Sequence, residues 1–193
     1  MISVVIPTYN RPKYLLNCLA SLMMQKVSID WEVLVIDDGS DKNIEPLLNS
    51  LPEHGRIRYF WQENAGPASA RNRGVELAKF PYVAFLDDDC CVDENWLQVL
   101  SENCEKGVLL GGRIENGCRE NDYSKASQLL VSFLYEFFEG TNHYFFTSNN
   151  FLVDKESFLS VKGFDECFNT SAGEDREFCV RWLHLGNQLT YLP

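Results

Sequence analysis

The sequence predicts a single α/β domain with a mostly parallel central sheet flanked by helices, and three observations lead to it. Short β-branched apolar runs alternate with stretches of helical spacing along the first half of the chain. Those runs are apolar on both faces, as strands buried in a parallel sheet are. Two of them end in consecutive carboxylates, Asp37-Asp38 and Asp87-Asp88-Asp89, placed where ligands bind in open α/β sheets. The 193 residues suit one well-buried domain rather than two.

The elements follow in order. Ser3–Ile6 is a buried strand ended by Pro7-Thr8-Tyr9-Asn10. Asn10 is expected to cap a helix from Pro12 to about Gln25, with Leu15, Leu16, Leu19, Leu22 and Met23 at helical spacing. Trp31–Ile36 is a second buried strand, and it delivers Asp37 and Asp38 into a turn with Gly39 and Ser40. There is no GxGxxG turn, so no dinucleotide-type cradle is indicated. A short helix over Ile44–Leu51, a strand over Ile57–Trp61 and a helix over Ala68–Lys79 come next. The last places Arg71 and Asn72 in its first turns. The central strand Tyr82–Leu86 precedes the three aspartates, and a helix is expected over Glu94–Cys104.

The second half is less regular. A strand over Val108–Ile114, a polar mobile loop from Asn116 to Tyr123 and an apolar helix over Ser124–Glu139 are expected. That helix reads as a core or subunit-contact element rather than a lipid-docking one, because Lys125 is its one cation for an anionic lipid. An extended run over Asn142–Val153, a short helix over Lys155–Val161, a turn at Gly163-Phe164-Asp165-Glu166, a helix over Gly173–Gly186 and a strand over Gln188–Leu192 complete the reading.

Charge and cysteine content narrow the function. A net charge of -11 disfavours nucleic acid and anionic membranes, which demand Lys and Arg; an anionic small molecule bridged by a metal is compatible. Seven cysteines, including the adjacent pair Cys90-Cys91 and with no CxxC spacing, suggest neither a disulfide framework nor a zinc site, and a reducing cytoplasm is expected. No secretion signal or membrane span is read from the sequence, which leaves peripheral association open. Three adjacent anions at a strand end repel one another unless a cation or donors hold them, so a divalent metal is expected there; the alternative is an acidic turn capping the next helix.

These residues resemble the family 2 glycosyltransferases, whose fold is the Rossmann-like A-type of nucleotide-diphospho-sugar transferases. The resemblance rests on Val4-Val5-Ile6-Pro7-Thr8-Tyr9-Asn10, Val35-Ile36-Asp37-Asp38-Gly39-Ser40, Ala70-Arg71-Asn72 within Gly66–Gly74, Phe85-Leu86-Asp87-Asp88-Asp89, Gly163-Phe164-Asp165-Glu166 and Gly173-Glu174-Asp175, in that order along nearly the whole chain. It implies that 1–104 binds the nucleotide and 105–193 the acceptor. Pro7 and Tyr9 are then expected at the base, Asp38 at base or ribose, and Asp87 or Asp88 at ribose or a metal-bound water. Asp89, with Asp87, is expected to ligate Mn²⁺ or Mg²⁺, and Arg71 to orient the aspartates or the diphosphate. Thr8, Asn150 and Glu174 join the expected substrate-binding set. For Tyr9 the alternative is strand-end packing, and Asp37 reads as structural. Where many members carry a fourth acid this chain has Cys90.

The resemblance also implies Asp175 as general base of an inverting transfer, although a helix N-terminus should lower its basicity. The alternative is a first-turn charge. The implied partners are a nucleotide-diphospho-sugar, with a UDP-sugar favoured, and a glycan or lipid-linked hydroxyl acceptor. Processive members carry Gln-x-x-Arg-Trp well beyond the catalytic acid; here Arg181-Trp182 follows Asp175 closely and Phe178 stands where Gln would be, so transfer of a single sugar is expected. The short run after Asp175 suggests a truncated acceptor half or a minimal acceptor site. The competing classes are a non-catalytic sugar-nucleotide-binding or interaction module, and a sugar-phosphate nucleotidyltransferase. The latter wants a Gly-rich loop after strand one, and Pro7–Pro12 has no glycine.

Overall fold

The computed structural model describes residues 1–51, 54–118, 120–141, 144–168 and 173–193. Its centre is a seven-stranded sheet of β1 (Ile2–Thr8), β2 (Trp31–Asp37), β3 (Ile57–Trp61), β4 (Tyr82–Leu86), β5 (Val108–Gly112), β6 (Asn150–Asp154) and β7 (Gln188–Leu192), in the order β3-β2-β1-β4-β6-β5-β7. The pairs β1–β2, β2–β3, β1–β4 and β5–β7 are parallel, while β6 runs antiparallel to both β4 and β5. The expected mostly parallel α/β architecture is therefore present. From β1 the chain winds outward to β2 and β3 and then returns to place β4 on the other side. This is a topological switch, and the crevice outside the carboxyl ends of β1 and β4 is where such sheets bind ligands.

Period-2 alternation sorts the strands onto two cores. Val4 and Ile6 point to one face with Val33, Val35, Ala84 and Leu86, covered by α1 (Pro12–Met23) and α4 (Trp96–Asn103) through Leu15, Leu19, Leu22, Leu97 and Leu100. Val5, Leu34, Ile36 and Phe85 point the other way. They meet α3 (Pro67–Leu77), α6 (Lys155–Ser160) and α7 (Glu174–His184) in an aromatic core of Phe85, Phe151, Phe158, Phe164, Phe178 and Trp182. Gly74 is the contact point of α3 with β1: a Cβ there would lie 2.3 Å from Val5 Cγ1, so only glycine lets the helix approach this closely.

Several boundaries differ from expectation. Helix α1 stops at Met23, the short helix α2 spans Glu45–Leu48, and β5 ends at Gly112. Asn10 is no helix cap. It has φ 55°, with its backbone N–H on Ser40 Oγ and its Oδ1 accepting from Asp41 N, so it ties the end of β1 to the turn after β2. Helix α5 (Asp122–Phe138) starts before Ser124 because Asn121 Oδ1 accepts from the N–H groups of Tyr123 and Ser124. Of the run expected to be extended over Asn142–Val153, Asn142 and His143 lie outside the described residues. Tyr144–Asn149 is irregular, because Phe145 and Phe146 bury their rings in the core, with Phe146 lying against Gly111, instead of pairing as a strand.

Candidate active site

Parallel pairing in register brings the carboxyl ends of β1, β2 and β4 to one edge. There Pro7, Thr8, Tyr9, Arg11, Asp38, Asn64, Gly66, Pro67, Arg71, Asp87 and Asp88 line a cleft of about 410 Å³. Tyr9 is half exposed, so it does not fill the core. Asp37 is the structural member of its pair, as expected: it is fully buried, with Oδ1 accepting from Ser40 N (2.9 Å) and Oδ2 from Tyr59 OH (2.7 Å). Asp38 organises the loop that forms the far wall. Its carboxylate accepts from Gln62 Nε2 (2.7 Å), Ala65 N (3.0 Å) and Gly66 N (2.9 Å), and Asn64 Nδ2 donates to its carbonyl.

The three aspartates do not cap α4. Asn95 stands at that cap position without a side-chain capping bond, and Asp93 Oδ1 accepts from both Asn95 N and Asn95 Nδ2. Each cluster member has its own partner. Asp87 Oδ1 is bound by Arg71 Nη2 at 2.7 Å; Asp88 Oδ2 accepts from Thr8 Oγ1 at 2.6 Å; Arg11 Nη1 lies 3.5 Å from Asp88 Oδ1 and 3.2 Å from Asp89 Oδ2. Thr8 thus lines the cleft while its hydroxyl positions Asp88. Burial pushes the Asp88 carboxyl above its ordinary value, although the Thr8 hydrogen bond and the Arg11 charge oppose the shift. Asp89 is the most open of the three, with its side chain 47% exposed.

Arg71 joins the halves of the chain. The side chain is 3% exposed, and its second arm, Nη1, binds Glu174 Oε1 at 3.1 Å in the first turn of α7. The next residue of α3, Asn72, fixes the same region: its amide accepts from Phe164 N and donates to Phe164 O and Glu166 Oε1. Glu174 is buried beneath Arg71 and holds its guanidinium. Beside it Asp175 accepts from Arg176 N (2.7 Å) and Ser148 N (3.3 Å). Its basicity is not lowered as the helix N-terminus suggested: burial raises its carboxyl above the ordinary aspartate value, Glu174 adds to the rise, and the two N–H donors and Arg71 only oppose it.

A second cleft of about 650 Å³ opens on the other side of Asp89. Its lining is rich in amides and hydroxyls, among them Asn116, Ser124, Gln128, Thr147, Asn149 and Asn150, with Trp96 and Arg113. Asn150 stands where β6 meets Leu86 at the end of β4. Its Oδ1 accepts from Trp96 Nε1 and its Nδ2 donates to Arg113 O, so it positions the cleft wall. Thr147 and Asn149 flank Ser148, whose N–H meets Asp175; the candidate base is thus tied to the loop lining this cleft.

The profile of Glycosyl transferase family 2 matches residues 3–167. The chain belongs to the family 2 glycosyltransferases. Chondroitin synthase of Escherichia coli is 30% identical over 96% of this chain, and glycosyltransferase GlyG of Streptococcus pneumoniae is 27% identical over 89%. The chain spans 32% of the former and 53% of the latter. The solved structure of TarS 1-349 from S. aureus in complex with UDP-GlcNAc superposes with a TM-score of 0.75 over 99% of this chain and 55% of that one, at 20% identity. Mannosyltransferase PcManGT from Pyrobaculum calidifontis, in complex with GDP-Man and Mn2+, gives 0.74 over all of this chain and 54% of that one, at 19% identity. Both show the same glycosyltransferase fold.

Within this family 2 domain the structure adds site residues that sequence reasoning missed. Arg11, directly after the Pro7-Thr8-Tyr9-Asn10 motif, pairs with Asp88 and Asp89; its place next to that motif was the available signal. Asn64 and Ser148 act through contacts with residues distant in sequence, which no local pattern encodes. Among the described residues no group of three His, Cys, Asp or Glu converges to cage a metal, and no helix is long and apolar enough to cross a membrane.

Proposed function

We propose that this chain is the catalytic domain of a metal-dependent, inverting glycosyltransferase that moves one sugar from a nucleotide-diphospho-sugar to a hydroxyl of a glycan or lipid-linked acceptor. The observation that carries it is the joint placement of a nucleotide-sized cleft, the three aspartates and a half-buried carboxylate of raised basicity, with Arg71 binding both an aspartate of the cluster and the helix of the base. Pro7 and Tyr9 would contact the base, Asp38 would receive a ribose or base donor, and Asp87 or Asp88 would meet ribose. A UDP-sugar is favoured by the complexes of TarS with UDP and UDP-GlcNAc. Hexosyl or N-acetylhexosaminyl transfer follows from that choice.

The donor set suits Mn²⁺ or Mg²⁺. Both are hard cations that take oxygen and need few protein carboxylates when a diphosphate and waters complete the octahedron. Half-exposed Asp89, with Asp87 beside it, would hold the ion, and the Mn2+ in the PcManGT complex supports this reading. When bound, the metal neutralises charge on the departing diphosphate. Asp175 takes the acceptor hydroxyl's proton, and its raised basicity serves that role. The amide-lined second cleft would seat the acceptor next to it.

Arg181 and Trp182 support transfer of a single sugar. Trp182 is fully buried with Nε1 on Gln188 O, and Arg181 binds the carbonyls of Val161 and Gly163 as well as Glu177, so neither side chain lines the donor cleft or the second cleft. The experiment is calorimetric titration of UDP and GDP with and without Mn²⁺, on the wild type and Asp89→Ala, followed by measured hydrolysis of the UDP-sugar. Metal-dependent binding lost in the variant is expected. Binding without any turnover on any acceptor would favour the non-catalytic binding module, and no binding at all would refute both.

A further inference from the structure

We propose that α5 is a self-association surface that pairs antiparallel with the same helix of a second copy of this chain. The helix has no buried residue of its own and rests on the domain through half-buried side chains on one face, Leu134, Tyr135 and Phe138 among them. The opposite face is apolar and bare: Leu129, Leu130, Phe133 and Phe137 are 57–71% exposed and Tyr123 is 90% exposed. The spacing on that face is specific. Tyr123, Ala126, Leu130, Phe133 and Phe137 follow one another at steps of three, four, three and four residues, the a/d seam of a two-helix coiled coil. The seam lies on the solvent side of α5, apart from the face that rests on the domain.

Charge selects the partner and the direction. Lys125 near the start of α5 and Glu136 near its end lie on the same flank of the seam. In an antiparallel pair that flank faces its own copy, so Lys125 of each helix, which also pairs with Asp122 of its own helix, comes to the end of the other that carries Glu136; in a parallel pair the flank would face the opposite flank and the two charges would not meet. An anionic bilayer is disfavoured by Asp122, Glu136 and the net charge of -11. The arrangement closes on itself with two-fold symmetry. Ser124, Ser127, Gln128 and Val131 on the inner side of α5 line the second cleft, so pairing would also brace that cleft's wall.

The test measures mass by light scattering on the full chain over a hundredfold concentration range. It is independent of any sugar-transfer activity. The wild type is expected at twice 22.2 kDa and the Leu130→Glu/Phe133→Glu variant at 22.2 kDa with an unchanged circular dichroism spectrum, since both positions face solvent in the monomer. Lys125→Glu should weaken the dimer at least tenfold, and adding Glu136→Lys should restore it. A wild type monomeric throughout, a Leu130→Glu/Phe133→Glu variant that stays dimeric, or monomeric wild type floating with phosphatidylcholine–phosphatidylglycerol vesicles through these same side chains would each overturn the proposal.

Discussion

Replacing Arg71 by alanine tests whether one guanidinium holds the two halves of the site together. The side chain is 3% exposed, and its two partners differ in what the substitution does to them. Glu174, 4% exposed, would be left as a buried carboxylate without its cation, and breaking a buried pair in this way costs about 3–5 kcal/mol. Asp87, one-third exposed, can be rehydrated, so its arm contributes only about 0.5–1 kcal/mol. The expected loss is therefore about 4 kcal/mol, a large part of the ~5–15 kcal/mol available to a domain. With a urea m-value of about 2–3 kcal/mol/M, the midpoint should fall by about 1.3–2 M. Glu174→Gln removes the stranded charge, so Arg71→Ala/Glu174→Gln should be less destabilised than the sum of the single variants by at least ~1 kcal/mol. A loss below ~1 kcal/mol for Arg71→Ala, or additivity within ~0.5 kcal/mol, would refute the claim that the Arg71–Glu174 pair carries the contact.

Three further outcomes follow from the same geometry. Gly74→Ala forces a methyl into Val5, and its overpacking should cost about 1–3 kcal/mol, read as a lower thermal midpoint. Asp175→Asn should reduce kcat by about 10²–10⁴. Because burial raises this carboxyl, the acid limb of the wild-type rate profile should lie above the ordinary aspartate value of 3.8. A group raised in the folded state favours folding only while protonated and loses that contribution as pH rises, so the same variant should be no less stable than wild type at pH 7 in urea titration. Glu32 has the opposite sign. Burial alone would raise its carboxyl, but Lys79 N–H, Arg58 and Ser3 outweigh burial and hold it below its ordinary value of 4.5. Its stabilisation is complete above that value and is lost as pH falls through the depressed one, so Glu32→Gln should narrow the stability lost between neutral and acid pH.

The parallel half of the fold was legible because strands buried on both faces are mostly apolar, and β1, β2 and β4 are; their mid-strand polar exceptions, Ser3 and Glu32, bond each other. The same runs announced the strand-end carboxylates. The later elements were harder to read because tertiary contacts replaced local pattern. Phe145 and Phe146 look like strand residues, yet they leave the ladder to fill the aromatic core. Asn10 looks like a helix cap, yet it adopts the left-handed region, open to Asn more readily than to most residues, and bonds Ser40 and Asp41 across from the next strand. In the site, residue types were legible and their partners were not. Asp38 reads as a ligand contact, but nothing local tells that its carboxylate already gathers three donors from the loop over Gln62–Gly66.

That unequal legibility has a physical basis in how the cluster is held. Asp87, Asp88 and Asp89 follow directly from the end of β4, so the backbone alone sets their order. Which of them stays open to a ligand is decided by their donors: Arg71 on α3 takes Asp87, Thr8 at the end of β1 takes Asp88, and Asp89 has the half-exposed Arg11 and the weak thiol donor of Cys90. Mutual repulsion in the cluster is thus relieved unevenly, most at the two positions whose partners are buried and least at the exposed one, which lines the second cleft. In the proposed reading a cation would meet the exposed Asp89 carboxylate and compete there with the half-exposed Arg11 guanidinium. Since Arg71 also grips Glu174 next to Asp175, the donor that takes Asp87 also helps set the position of the proposed base.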